Sequence, residues 1–266
     1  MTTGANSGIG LATVVELARK GFDSVGSVRS GAKAKQVRTA AAAAGVRVRT
    51  VRLDVTDADA GVRVIDQLRP FGLVNNAGYS ATGAIEDVDD EEAHRVAETM
   101  VFAPMRLARA ALPHMRSGGG GRIVNISSVY GLTTTPLTGW YQACKHALEA
   151  LSDALRVEVA KDGIKVVLIE PGGFRTGIWE EASSEVERYR GSRYEGAYRR
   201  MESVLRMSQR LMGDPAAVAR TIAGAMTAPS PRPRYLVGYD AQAIAFWNAI
   251  VPTEIKDRLA RISLGL

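Results

Sequence analysis

Met1-Thr-Thr-Gly-Ala-Asn-Ser-Gly-Ile-Gly10, followed by the helix-forming stretch 11–20, decides the fold of this 266-residue chain. Glycines at this spacing let a backbone come close to a pyrophosphate. The free N–H groups and dipole of the helix that follows favour an anion at its start. Working outward, the spacing predicts a strand over 23–28 and a helix over 32–44 with Gly45 as its cap. The alternating Val46-Arg-Val-Arg-Thr-Val-Arg-Leu53 reads as a strand, and 58–68 as a helix. Strands follow at 72–75, 122–127 and 164–169, separated by helices over 91–115 and 141–161. A last strand is expected at 235–238, before a helical tail. Strands and helices alternate as far as residue 170, and the later strands are apolar on both faces. That pattern predicts an α/β fold, a doubly wound parallel sheet covered by helices on each side, in a single domain. A polar, aromatic-containing helical insertion is expected over about 176–212.

Bulk properties exclude several classes. Thirty-four basic residues against 28 acidic ones give a net charge of +6, but the basic residues are scattered, with no stripe interleaved with aromatics. Nucleic-acid binding is therefore not expected. Cys144 is the only cysteine, which rules out an internal disulfide and a cysteine-cluster metal site. His94, His114 and His146 lack metal-ligand spacing, so no metal is expected. No apolar run reaches the roughly eighteen residues of a membrane span, and no signal peptide is evident. The expected location is the cytoplasm. A homo-oligomer is compatible with the chain.

The chemistry centres on Trp140-Tyr-Gln-Ala-Cys-Lys-His146. Tyr141 and Lys145, four residues apart, share one helix face. A free tyrosine titrates near about 10. An ammonium about 4 Å away would favour the phenolate by roughly 4 kcal/mol at an effective dielectric near 20. Such a tyrosine suits proton exchange between an alcohol and a ketone.

These segments together resemble the short-chain dehydrogenase/reductases across about residues 3–176. Thr3 to Gly10 resembles the family's Thr-Gly-x-x-x-Gly-x-Gly, and Asn75-Asn-Ala-Gly78 its Asn-Asn-Ala-Gly element. Asp54, in Leu-Asp-Val55, stands where the family contacts adenine. Ser128 precedes Tyr141 by thirteen residues, the family's usual spacing. Pro171-Gly172 and Thr176 resemble the element that touches the nicotinamide carboxamide. The resemblance implies a Rossmann-type sheet and a catalytic set of Ser128, Tyr141 and Lys145. Ser128 would polarise the substrate carbonyl and Tyr141 would pass the proton. Lys145 would lower the Tyr141 pKa and hold the nicotinamide ribose. It also implies a cofactor site of Gly4, Asn6, Ser7, Gly8, Ile9, Gly10, Arg29, Asp54, Val55, Asn76, Ala77, Gly78, Pro171, Gly172 and Thr176, together with Tyr141 and Lys145. The segment Gly26-Ser-Val-Arg-Ser30 has an arginine and no carboxylate where NAD-selective relatives carry an acid, so Arg29 and Ser27 point to NADP(H) over NAD(H).

Two departures stand out. Met100 occupies the position of the family's catalytic asparagine, which predicts a weakened proton relay. Only Met1 and Thr2 precede Thr3, so the first strand is expected to be truncated. That would leave two inner sheet edges roughly 10 Å apart with unpaired ladder groups. The natural start is then expected a few residues upstream. Two function classes follow. One is an NADP(H)-dependent oxidoreductase interconverting a secondary alcohol and a ketone, with the insertion (Trp179, Tyr189, Tyr194, Tyr198, Met201, Met207) as a lid over a lipophilic substrate. The subgroup most resembled acts on steroids and retinoids. The other is a non-catalytic nucleotide-binding relative, favoured by Met100 and the short N-terminus and opposed by the intact Ser128, Tyr141 and Lys145.

Overall fold

The computed structural model describes residues 1–177, 186–208 and 212–266. Six parallel strands form one twisted layer: β1 (Val25–Val28), β2 (Arg49–Arg52), β3 (Gly72–Asn75), β4 (Gly121–Ile126), β5 (Ile164–Pro171) and β6 (Arg234–Val237). β2 pairs with β1 on one side of the molecule, and β3, β4, β5 and β6 follow in that order on the other.

The position between β1 and β3 is filled by the first residues of the chain, contrary to the expectation of two unpaired edges. Thr2 bridges to Gly26 and to Val74. Its N–H donates to the Val25 carbonyl at 2.8 Å, and its own carbonyl accepts from the Ser27 N–H at 2.9 Å. On the other side the Thr3 N–H donates to Val74 O, and the Val74 N–H to Met1 O. Ladder pairing uses backbone groups alone, so two or three residues are enough to join the sheet at its C-terminal edge.

Alternation along each central strand splits the apolar side chains between two faces. Leu73, Ile123 and Val166 face α3 (Ala58–Leu68) and α5 (Ala103–Ser117), packing with Ile65, Leu107, Ala111 and Met115. Val74, Val124 and Val167 face α1 (Gly8–Arg19) and α8 (Pro215–Thr227), packing with Leu17, Val218, Ile222 and Met226. α8 was not expected from the sequence. Its signals were Asp214, whose carboxylate accepts from the Ala216 N–H, and Pro215 in its first turn. The remaining helices are α2 (Gly31–Ala43), α4 (Asp90–Ala97), α6 (Gly139–Glu158), α7 (Glu195–Ser208), α9 (Tyr239–Ile250) and α10 (Thr253–Leu264). Most expected elements appear within two or three residues of their expected bounds. The first half of the 46–53 stretch is not strand.

The helical region expected over 91–115 is present and unbroken in the chain from 90 to 117, with a change of pitch inside it. Residues Glu98–Phe102 form a π turn between α4 and α5, closed by the Ala103 N–H donating to the Glu98 carbonyl. Within the expected insertion, α7 is tied down by Tyr198. Its buried phenol donates to Asp87 Oδ2 at 2.7 Å and accepts from the Ala84 N–H at 2.6 Å, and its ring stacks on Tyr189 at 5.1 Å. Tyr194 and Met201 join Tyr198 against Ala84 and Leu137, whereas Met207 is exposed. Trp179 lies outside the described residues.

Ile222 is fully buried between α8 and the sheet. Its replacement by alanine should cost about 2–5 kcal/mol through lost burial and the cavity left behind. Urea unfolding measures this; a loss under about 1 kcal/mol would mean that α8 does not pack as described.

Candidate active site

The C-terminal ends of the parallel strands carry Ser128, the Asn76–Gly78 segment, Arg29 and the Pro171–Gly172 loop, as expected for an open α/β sheet. The Gly118–Gly121 loop lies at the opposite end of β4, which removes it from the site.

The glycine turn is held by side chains as much as by backbone. Thr3 Oγ1 accepts from the N–H groups of Asn76 and Ala77, both at 2.9 Å. The Asn76 side-chain amide donates back to Thr3 O at 2.9 Å and Gly4 O at 3.2 Å. Gly4 and Gly8 have φ of +63° and +50°, a conformation that favours glycine. A Cβ on Gly10 would lie 2.3 Å from the Gly4 carbonyl oxygen and 2.5 Å from Asn76 Nδ2. Ser7 makes no side-chain cap hydrogen bond to α1; its Oγ accepts from Asn6 Nδ2 at 3.4 Å. Ile9 packs against the core beneath the turn. Thr176 comes over the turn from the end of β5: a Cβ on Gly8 would meet its Cγ2 at 3.0 Å. Gly78 is backed by Met100, whose Sδ would lie 3.3 Å from a Cβ there.

At the other end of the cleft, Arg29 is exposed just beyond β1. Asp54 is also exposed, and its Oδ1 accepts from the Thr56 N–H and hydroxyl at 3.1 and 2.7 Å. Partial burial would push the Asp54 carboxyl up, but the Thr56 hydrogen bonds and the Arg29 charge outweigh it and hold the group below its usual value. Val55 turns into the core. Ser27, expected beside Arg29, is buried within β1, so it does not face the cleft.

Ser128, Tyr141 and Lys145 converge at the end of β4. Ser128 opens a short turn, its Oγ accepting from the Tyr130 N–H at 3.2 Å, and it hydrogen-bonds the Tyr141 phenol. The buried Lys145 ammonium donates to the Ile126 carbonyl at 2.8 Å and lies 5.5 Å from the Tyr141 ring centroid. The expected electrostatics are overturned here. Burial pushes the Tyr141 phenol up to about 12, only partly opposed by the Ser128 hydrogen bond. Burial also brings the Lys145 ammonium down to about 8. The lysine sits over the ring and bonds to the backbone, rather than reaching the phenolic oxygen, so desolvation decides both values.

Met100 takes no part in polar contacts. It is fully buried with Ala81, Val96, Val101 and Cys144, and Tyr141 packs on this cluster. Met100 lies at the middle of the π turn. Several supporting residues escaped the sequence reading. A chain of buried amides runs from Asn75 Nδ2 to Asn125 Oδ1 (2.8 Å) and from Asn125 Nδ2 to Ser152 Oγ (2.7 Å), fixing α6 to the strands. Asp240, at the start of α9, accepts from the Gly173 N–H at 2.5 Å and lies against Gly172. These lie far apart in sequence from the residues they support.

The short chain dehydrogenase family model matches residues 1–187, and the chain belongs to that family of oxidoreductases, which bind a nicotinamide cofactor. It is 38% identical over 230 residues to an uncharacterized oxidoreductase, YusZ, of Bacillus subtilis, covering 84% of this chain and 82% of the relative. It is 30% identical to mouse retinol dehydrogenase 16 (97% and 86% covered) and 30% to an NADPH-dependent 3-dehydrocapnine reductase of Ornithobacterium rhinotracheale (97% and 94%). Among solved structures, a short-chain dehydrogenase from Streptomyces avermitilis superposes with a TM-score of 0.78 at 32% identity over 98% of this chain and 94% of the other. An NAD+-bound xylitol dehydrogenase gives 0.76 at 25%, over 89% and 95%. Among the described residues no helix is long and apolar enough to cross a membrane.

Ultraviolet difference titration of the protein against its Tyr141→Phe variant tests the electrostatic balance. With burial dominant, the Tyr141 phenolate should form only above about pH 10. A phenolate already present near neutrality would mean that Lys145 controls the tyrosine after all.

Proposed function

We propose that this chain is an NADP(H)-dependent oxidoreductase that interconverts a secondary alcohol and a ketone on a lipophilic small molecule. The observation that carries the reading is the convergence of Ser128, Tyr141 and Lys145 beside the glycine turn. The turn fits a dinucleotide: side chains are excluded at Gly4, Gly8 and Gly10, and the N-terminus of α1 is left uncapped. Gly4, Asn6, Ser7, Gly8, Ile9 and Gly10 would hold the pyrophosphate, with Ala77 and Gly78 alongside. Asp54 and Val55 would flank the adenine, and Pro171, Gly172 and Thr176 would flank the nicotinamide, which supplies hydride chemistry.

The protein's part is the proton and its alignment. A phenol held neutral by burial is a proton donor at physiological pH, which suits the reduction of a ketone. Ser128, already hydrogen-bonded to that phenol, is placed to donate to the same substrate oxygen. Lys145, anchored on Ile126 O, would answer the negative charge that Tyr141 acquires on giving up its proton. The aromatic and methionine side chains of α7 and the segment before it, clamped to Ala84 and Leu137, support an apolar roof over the substrate. A relative named as a retinol dehydrogenase supports the same substrate class.

Cofactor choice rests on Arg29, which makes no ion pair among the described residues and can meet a 2′-phosphate. A relative named as NADPH-dependent supports this choice. Fluorescence titration should show tighter binding of NADPH than of NADH, and Arg29→Asp should reverse the order. Equal or tighter binding of NADH by the wild type would refute the assignment. A panel of lipophilic ketones, with NADPH consumption as readout, tests the reaction itself; failure of every ketone and alcohol in both directions would favour a non-catalytic role.

A further inference from the structure

A group of buried carboxyls lies directly behind the site. Glu170 ends the apolar run of β5, one residue before Pro171, and is almost completely buried. Glu149, also buried, lies on α6 one turn beyond Lys145. One guanidinium serves both: Arg234 of β6 sits 3.1 Å from Glu149 Oε2 and 3.2 Å from Glu170 Oε1. Arg234 also bonds Asp153 Oδ2 at 2.5 Å, and Asp153 is held in turn by Arg156. Glu149 Oε1 is buried with no hydrogen-bond partner among the described residues, and the buried Glu170 Oε1 has only the Arg234 ion pair there. Both carboxyls lie within 3.2 Å of the same Arg234 nitrogen, close enough for the Glu149 charge to act on Glu170. One guanidinium offsets only part of the charge of two ionised carboxyls, and a proton shared between them removes the surplus.

The pair touches all three parts of the site. Glu149 lies beneath the turn that Ser128 opens: a Cβ on Gly131 would meet Glu149 Cγ at 3.0 Å and Oε1 at 3.3 Å, beside the Ser127 hydroxyl at 2.7 Å. On the helix, the Glu149 charge acts on the Lys145 ammonium. Glu170 leads into Pro171 and Gly172, where Asp240 bonds the Gly173 N–H. The charged and titratable groups around the pair are therefore Lys145, Asp153 and Arg156 from α6, Arg234 from β6, and Asp240 from α9.

We propose that Glu149 and Glu170 share one proton and act as a positioning pair. They hold α6, the Ser128 turn and the Pro171–Gly172 loop in register, and losing that proton to solvent places a second negative charge beside Lys145. The inference rests on the reading of Ser128, Tyr141 and Lys145 as the reacting group. Burial, with the neighbouring Glu149 charge added, pushes the Glu170 carboxyl up to about 7. With the proton in place the pair carries one negative charge, matched by Arg234. Without it the surplus charge holds Lys145 more firmly as ammonium. The site would then respond to pH in the neutral range through groups that never touch substrate.

The sign of the stability effect follows. A carboxyl that keeps its proton to higher pH in the fold than in the unfolded chain stabilises the fold at low pH. That contribution fades as pH rises from the ordinary carboxylate range towards about 7. Glu170→Gln imitates the protonated acid permanently and should escape this loss. Melting temperatures of wild type, Glu170→Gln and Glu149→Gln, taken from about pH 5 to about pH 8, should show both variants gaining on the wild type as pH rises. The kcat/KM profile of the wild type should bend near about pH 7, and in each variant that bend should vanish. A melting gap that stays constant with pH, or a bend that survives in both variants, overturns the proposal. The melting arm needs no turnover, so it separates failure of the pair from failure of the catalytic reading.

Discussion

Four hydrogen bonds between Thr3, Gly4, Asn76 and Ala77 hold the site together. The strand position between β1 and β3 is occupied only by the first residues, with Thr2 bridging both neighbours. The side chains of Thr3 and Asn76 add further bonds across this position. Their geometry dictates why Gly10 admits no side chain and why α1 starts where it does. The same clamp fixes Ala77 and Gly78, and Gly78 in turn rests on Met100, in the cluster against which Tyr141 packs. The cofactor end and the catalytic end of the cleft are thus mechanically continuous.

The second constraint is desolvation. Tyr141 and Lys145 are brought together by helix spacing, yet burial moves the tyrosine up and the lysine down. Opposite shifts of this kind leave the phenol protonated and the ammonium easily discharged. The buried carboxyls at Glu149 and Glu170 lie next to this balance, since Lys145 has few other ways to be stabilised in its charged form.

Most strands and helices were legible because periodicity reports which face a residue buries, and burial dominates the packing here. The placement of the candidate site residues was legible because glycine, tyrosine and lysine at fixed spacing act locally, within a turn or a helix. What escaped depends on contacts between distant segments. The Asn75–Asn125–Ser152 chain joins two strands to a helix, and Glu149, Glu170 and Arg234 meet from three elements. No local pattern announces such meetings. The π turn around Met100 likewise has no local signal: its buried face packs against Val96 of α4 and Cys144 and Tyr141 of α6, which lie about forty residues on. The lowered tyrosine pKa failed as an expectation because spacing gives proximity but not where the ammonium points.

The central claim is that Tyr141 passes the proton at a site the rest of the fold only aligns. Tyr141→Phe removes one hydroxyl and keeps the ring against Met100 and Cys144. Turnover with NADPH and the best ketone, measured alongside NADPH affinity, tests the claim most directly. The account predicts turnover lower by about 10²- to 10⁴-fold with affinity nearly unchanged; a variant that keeps most of its turnover would contradict it.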